Sequence, residues 1–185
     1  ESLSQFSLLF VSSAMAFLAL ALVLFSFQLV KLSTAGDEIV AGKADRLSTS
    51  ERAGFVMLWV ATLVLGAGVV MRGIAAGRVP WANMYEFSIT GALAFSAAYL
   101  FGLKKYKIRY LGLPVAITVL LTLGTAITLL YRPSAPLVPA LQSMWLVIHV
   151  SAAILSGGVF LLSNTVAGTY LWLDRMERRG ERTAF

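Results

Sequence analysis

Phe6-Ser7-Leu8-Leu9-Phe10-Val11-Ser12-Ser13-Ala14-Met15-Ala16-Phe17-Leu18-Ala19-Leu20-Ala21-Leu22-Val23-Leu24-Phe25-Ser26-Phe27-Gln28-Leu29-Val30 runs without one Asp, Glu, Lys or Arg. A helix crossing a bilayer needs about 20 mostly apolar residues, and this stretch exceeds that. A cleavable signal peptide would have a shorter apolar core preceded by basic residues. Here Glu1-Ser2-Leu3-Ser4-Gln5 comes first and the basic residue, Lys31, comes after, so the stretch reads as a retained membrane helix.

The rest of the chain repeats the pattern. Of its 185 residues, 58% are apolar and 13% are charged, against roughly 25% charged in a soluble domain. The charges fall in short clusters between uncharged runs. About five spans are predicted, over 6–30, 53–71, 85–103, 110–131 and 141–173. Pro114 falls in the first turn of the fourth, where a missing N–H costs least. Polar connections are expected at 31–52, 73–84 and 132–140, the last broken by Pro133, Pro136 and Pro139. The reading is therefore an all-α integral membrane protein with one membrane domain, 1–185.

An odd number of spans puts the termini on opposite sides. Lys31, Lys43, Arg46, Arg52, Lys104, Lys105, Lys107, Arg109, Arg175, Arg178, Arg179 and Arg182 then share one side, leaving Arg72, Arg78 and Arg132 on the other. Cytoplasmic loops carry the excess of Lys and Arg, so the N-terminus is expected outside and the C-terminus in the cytoplasm. Trp81, Tyr85, Tyr131 and Trp145 gather near the outer interface, as aromatic belts do. The net charge of +6 is thus explained by topology, and binding of anionic lipid is the other use such clusters can have.

Composition also removes several chemistries. With no cysteine the chain forms no disulfide and offers no thiolate ligand. One histidine and nine acidic residues leave it poor in metal donors. It has no Gly-rich phosphate loop, no Ser or Cys nucleophile beside a base, and no nucleic-acid-binding module.

Two stretches on the predicted outer face carry information. In Pro80-Trp81-Ala82-Asn83-Met84-Tyr85-Glu86, Asn83 and Glu86 have capping-box spacing. Asn83 would accept from an orphan backbone N–H while Glu86 reached back to the Asn83 N–H. An acid at the edge of hydrocarbon is costly and tends to be functional, so Glu86 can be a helix starter, a site residue or both. In Leu141-Gln142-Ser143-Met144-Trp145-Leu146-Val147-Ile148-His149-Val150, His149 lies about 9 Å along a helix from Ser143. Trp145 and His149, four apart, share a helix face. His149 needs a partner in the membrane: a hydroxyl or carbonyl on a neighbouring helix, or a metal such as heme iron. A single histidine cannot supply both axial ligands of a heme. Gly66, Gly68, Gly157, Gly158 and Gly168 read as sites of close helix approach.

Together the two stretches resemble a known family. The first looks like the Pro-x-x-Asn-x-Tyr-Glu element, and the second like the Leu-x-Ser-x-Trp-Leu-x-x-His-Val element, of the CcsA/ResC proteins of cytochrome c biogenesis (system II). The resemblance implies a bacterial plasma-membrane protein, rather than a thylakoid one, that works with a ResB-type partner. It would carry heme b to the outer face and attach it to apocytochrome c. It implies that His149 is an outer-side axial heme ligand with Trp145 packed beside it. Asn83, Tyr85, Glu86, Gln142 and Ser143 would be structural supports near the site. It assigns no catalytic residue. The tryptophan-rich segment of that family is missing, since Trp59, Trp81, Trp145 and Trp172 are scattered. The expectation is accordingly an N-terminal part of a longer chain that does not complete heme ligation alone. The rival readings are a non-catalytic helical subunit of a respiratory or transport complex, with His149 in a structural hydrogen bond, and another heme-handling family.

The cysteine-free background makes the topology testable. A cysteine placed by Ser134→Cys should react with a membrane-impermeant maleimide on intact cells, and one placed by Lys43→Cys only after permeabilisation. The reverse pattern would invert the orientation.

Overall fold

The computed structural model describes residues 2–34, 48–133 and 143–179. They form five α-helices: α1 Ser2–Thr34, α2 Thr49–Ala76, α3 Met84–Gly102, α4 Gly112–Thr128 and α5 Met144–Arg178, with a 3₁₀ turn at Arg109–Leu111 before α4. No strand occurs among the described residues.

Backbone chemistry sets the helix ends. α2 starts ahead of its apolar run because Ser48 caps it, the hydroxyl accepting from Glu51 N–H at 3.1 Å; Ser48 and Ser50 both donate to Gln28 Oε1 on α1. At the other end Gly77 takes the left-handed conformation at φ +61°. This lets its N–H reach Ile74 O while Arg78 N–H reaches Gly73 O, the paired bonds that close a helix over its last carbonyls. α4 begins at Gly112, so Pro114 does stand in the first turn.

α1 and α2 run antiparallel, with Ser7 donating to Gly68 O at 2.7 Å near one end and Phe25 against Gly54 near the other. Ser7, Val11, Ala14, Leu18, Ala21 and Phe25 are buried and alternate four and three apart. Gly54, Leu58, Ala61, Leu65, Gly68 and Arg72 repeat this on α2. That spacing is the seam of two wound helices. α3 sits centrally, touching α2, α4 and α5, while α1 also packs on α4.

Lipid offers no hydrophobic force to join these helices, since its tails are as apolar as their side chains, so close packing must do so. The expected glycine contacts divide on this point. A Cβ on Gly68 would lie 3.1 Å from Phe10 Cβ, and one on Gly158 would lie 3.1 Å from the Ala94 and Phe95 backbone. Gly157 and Gly168 face open space. Hydroxyls within the spans close on their own helices: Thr62, Thr118, Thr122, Thr165 and Thr169 each donate to the carbonyl four residues back at 2.8 Å. Each of these hydroxyls is thereby paired within its own helix and needs no partner from the lipid.

Four segments are long and apolar enough to cross a bilayer: Leu3–Val30, Thr49–Ala76, Arg109–Thr128 and Met144–Arg178. α3 is not among them, although about five spans were expected. Its 19 residues include Tyr85, Glu86, Ser88, Thr90, Ser96 and Tyr99. Its central position explains how that is tolerated, because Tyr85, Glu86, Ser96 and Tyr99 are buried among the other helices. Tyr99 Oη, for example, donates to the Ile108 and Arg109 carbonyls at 3.3 Å.

The neighbouring glycines of α5 should respond oppositely to substitution. Gly158→Leu must push α5 off the α3 backbone, at a cost of about 1–3 kcal/mol. Gly157→Ala should be neutral or stabilising by up to about 1 kcal/mol through helix propensity. Thermal denaturation in detergent compares the two.

Candidate functional site

At the Asn83 end of the bundle, the turn closed by Gly77 folds the chain back so that Arg78 overlies the first turn of α3. Asn83 caps α3 as its spacing predicts, its Oδ1 accepting from Glu86 N–H at 2.9 Å. The reciprocal bond differs from the expectation. Glu86 Oε2 accepts from the Ala82 N–H at 3.0 Å, one residue before the cap. Two cations hold the carboxylate in that position. Arg72 Nε donates to Oε1 at 3.0 Å, and Arg78 Nη1 donates to Oε2 at 2.8 Å; Arg78 Nη2 adds a longer bond to Oε1 at 3.4 Å.

Neither member of the inner pair reaches solvent, the Arg72 and Glu86 side chains being 1% and 0% exposed. Arg72 is tied further. Its Nη2 donates to the Arg132 carbonyl beyond α4, and its guanidinium lies 5.2 Å from the centroid of the Tyr85 ring. Tyr85 in turn meets Tyr131 edge to face at 5.2 Å. Thr90 Oγ1 donates to the Pro80 carbonyl at 3.1 Å and to Glu86 O at 2.7 Å, pinning the Pro-Trp loop to α3. One charged cluster thus joins the end of α2, the start of α3 and the segment after α4.

This arrangement limits what Glu86 can do. Its carboxylate already accepts from Arg72, Arg78 and the Ala82 amide, so it is engaged as a structural anion and is not poised as a proton carrier. Among the described residues no group of three His, Asp or Glu side chains could hold a metal ion.

The second stretch is placed differently. Ser143 caps α5, its Oγ accepting from Trp145 N–H at 3.3 Å; Gln142 lies outside the described residues. α5 runs parallel to α3, since Gly158 meets Ala94 and Phe95 while Leu162 approaches Gly102 farther along. His149 is nine residues before Gly158 and Glu86 eight before Ala94, so at about 1.5 Å per residue they stand at nearly one level. They do not form a cluster. Val147, Ser151, Ile154, Gly158, Leu162, Thr165 and Thr169 form the covered stripe of α5, whereas His149 and Trp145 are exposed on the opposite side. Trp145 is 77% exposed. Among the described residues His149 has no hydrogen bond or ion pair.

Residues 81–184, more than half of the chain, match the family of the cytochrome C assembly protein. The chain belongs to this family. Its relatives include the cytochrome c biogenesis protein CcsA of Porphyra purpurea, 29% identical over 70% of this chain and 42% of the relative. The CcsA protein of Guillardia theta is 32% identical over 64% of this chain and 39% of the relative. That of Synechocystis is 29% identical over 65% and 38%. The chain therefore spans about two fifths of the relatives it matches. No solved structure matches it.

The family match opens at Trp81, so it takes in Asn83, Tyr85, Glu86, Trp145 and His149, while Arg72 and Arg78 lie ahead of it. Sequence reasoning placed Glu86 at a costly depth but missed the two arginines that make it affordable. The signal was present, because Arg72, Arg78 and Arg132 are the only cations assigned to that side and Glu86 lies between them.

Removing the shared anion should be the most damaging change here. Glu86→Ala leaves buried guanidinium charge unpaired and should cost about 3–5 kcal/mol. In the double variant Arg72→Met with Glu86→Met the remaining charge is that of the partly exposed Arg78. Denaturation in detergent should give a loss well below the sum of the two single losses; additive losses would mean that Arg72 and Glu86 do not act as a unit.

Proposed function

We propose that this chain belongs to the part of a cytochrome c biogenesis protein that presents heme at the outer membrane face for covalent attachment to apocytochrome c. The observation that carries the reading is the state of His149. Its imidazole, the only one in the chain, lies exposed on α5 opposite the packing stripe, with no protein partner among the described residues. A structural histidine at this depth would be expected to bond a neighbouring helix. This one is directed away from the bundle, as a donor to an external ligand would be.

Heme enters as cargo, and the donor set suits it. A neutral imidazole is a common axial ligand to heme iron, and Trp145, one turn away on the same exposed face, offers an aromatic wall beside a flat macrocycle. One histidine supplies one axial position, so a second imidazole on the iron would have to come from outside this chain. Asn83, Tyr85 and Glu86 serve as supports, fixing through Arg72 the start of α3, the helix against which α5 packs farther along. Among the described residues no acid–base pair is placed beside His149. Each client cysteine adds its S–H across a heme vinyl group, sulfur bonding to one carbon and hydrogen to the other, while His149 holds and orients the iron.

Family membership supports this role, and it brings a ResB-type partner and heme b into the proposal. The charge asymmetry supports an orientation with the Asn83 end and His149 outward, and the membrane proposed is the bacterial plasma membrane.

His149→Gly in the full-length protein should remove most of the heme absorbance of the purified protein and reduce cytochrome c maturation at least tenfold, while its helix content stays unchanged. Unaltered heme spectra and maturation would defeat the assignment.

A further inference from the structure

We propose that the groove between α2 and α3 is a binding site for one anionic phospholipid, its acyl chain in the groove and its phosphate on Lys104. The groove encloses about 420 Å³, within the range of small-ligand sites. Its outer edges are Trp59, Leu63 and Val70 of α2 and Phe101 of α3, all facing away from the bundle. From Trp59 to Val70 it extends eleven residues, roughly 16 Å at helical rise. Thr62 is its one hydroxyl, and that is spent on the Leu58 carbonyl at 2.8 Å. Such a channel suits an unbranched hydrocarbon chain, Thr62 and the Trp59 indole being the polar side chains of its lining.

The charge at its mouth selects the head group. Phe101, the last side chain of the wall, has Lys104 Nζ 5.6 Å from its ring centroid, so the ammonium stands where the groove meets the membrane surface. Lys104 takes part in none of the ion pairs found among the described residues. A lysine stem lying on apolar surface with its head at the interface is the usual disposition near a span end. Lys105, Lys107 and Arg109 follow in the same connection and are likewise exposed, which raises the local concentration of anionic lipid. Lys104 is distinguished from them by its contact with the groove wall. This proposal is independent of the role given to His149.

Native mass spectrometry of the purified protein, with phosphatidylglycerol and phosphatidylcholine of identical chains, tests it. Phosphatidylglycerol should be retained preferentially, and glycerol phosphate without tails should not displace it. Lys104→Gln should weaken phosphatidylglycerol retention about fivefold, the equivalent of one interfacial cation, and Lys107→Gln much less. Gly66→Leu should fill the groove and reduce retention of both lipids. A Cβ there meets only Leu93 Cδ1, at 3.7 Å, so the helix pair can accept it; if this variant does not fold, Ala97→Leu on the facing wall replaces it. Equal retention of the two lipids, equal effects of the two lysine substitutions, or full retention with the groove filled would each overturn the proposal.

Discussion

The carboxylate of Glu86 is the point on which one end of this bundle turns. Removing an anion from water costs several kcal/mol even after the protein relaxes around it, and nothing in hydrocarbon repays that. Here Arg72 and Arg78 approach it from α2 and from the turn after α2, and the Ala82 amide approaches from the loop. Each of those groups would be expensive to bury alone. The cluster therefore stands or falls together, which makes it a register device more than a source of net stability. It dictates that the Pro-Trp loop folds back, that α3 starts at Met84, and that the segment after α4 crosses Arg72.

That constraint allows α3, the one α-helix among the described residues that falls short of a membrane-spanning segment, to be the central one. A helix facing lipid must be apolar all round, whereas one enclosed by others needs only partners for its polar groups. α3 has them in Asn83, Arg72, Arg78 and the 108–109 carbonyls reached by Tyr99. α1 and α2 solve the opposite problem. With few polar groups to specify register, they rely on alternating four- and three-residue steps of small and branched side chains, on the Ser7–Gly68 bond at one end and on the bonds of Ser48 and Ser50 to Gln28 at the other.

Much of this was legible in the sequence, because the bilayer imposes length and apolarity directly. Uncharged runs mark helices, and Asn83 was recognisable as a start. What periodicity could not reveal was pairing across the chain. Glu86 with Asn83 has a capping-box spacing, yet the carboxylate goes to Ala82 because two arginines eight and fourteen residues upstream pull it there. A one-helix rule has no term for such neighbours. The glycines were similarly ambiguous. Gly157 and Gly158 are adjacent in sequence, but one helical step of about 100° separates open space from a backbone at 3.1 Å.

The same step governs the residue proposed as the heme ligand. α5 commits one stripe, from Val147 through Gly158 to Thr169, to the bundle, and so turns His149 and Trp145 outward. The helix therefore joins two surfaces with different duties. Its inner stripe is fixed against α3, whose start is locked by the Glu86 cluster, while its outer face offers an imidazole and an indole one turn apart. A ligand bound on the outer face would be positioned by residues that never touch it. Loosening the Arg72–Glu86 pair would displace the platform while leaving the donor chemically intact, so its effect on heme retention separates positioning from ligation.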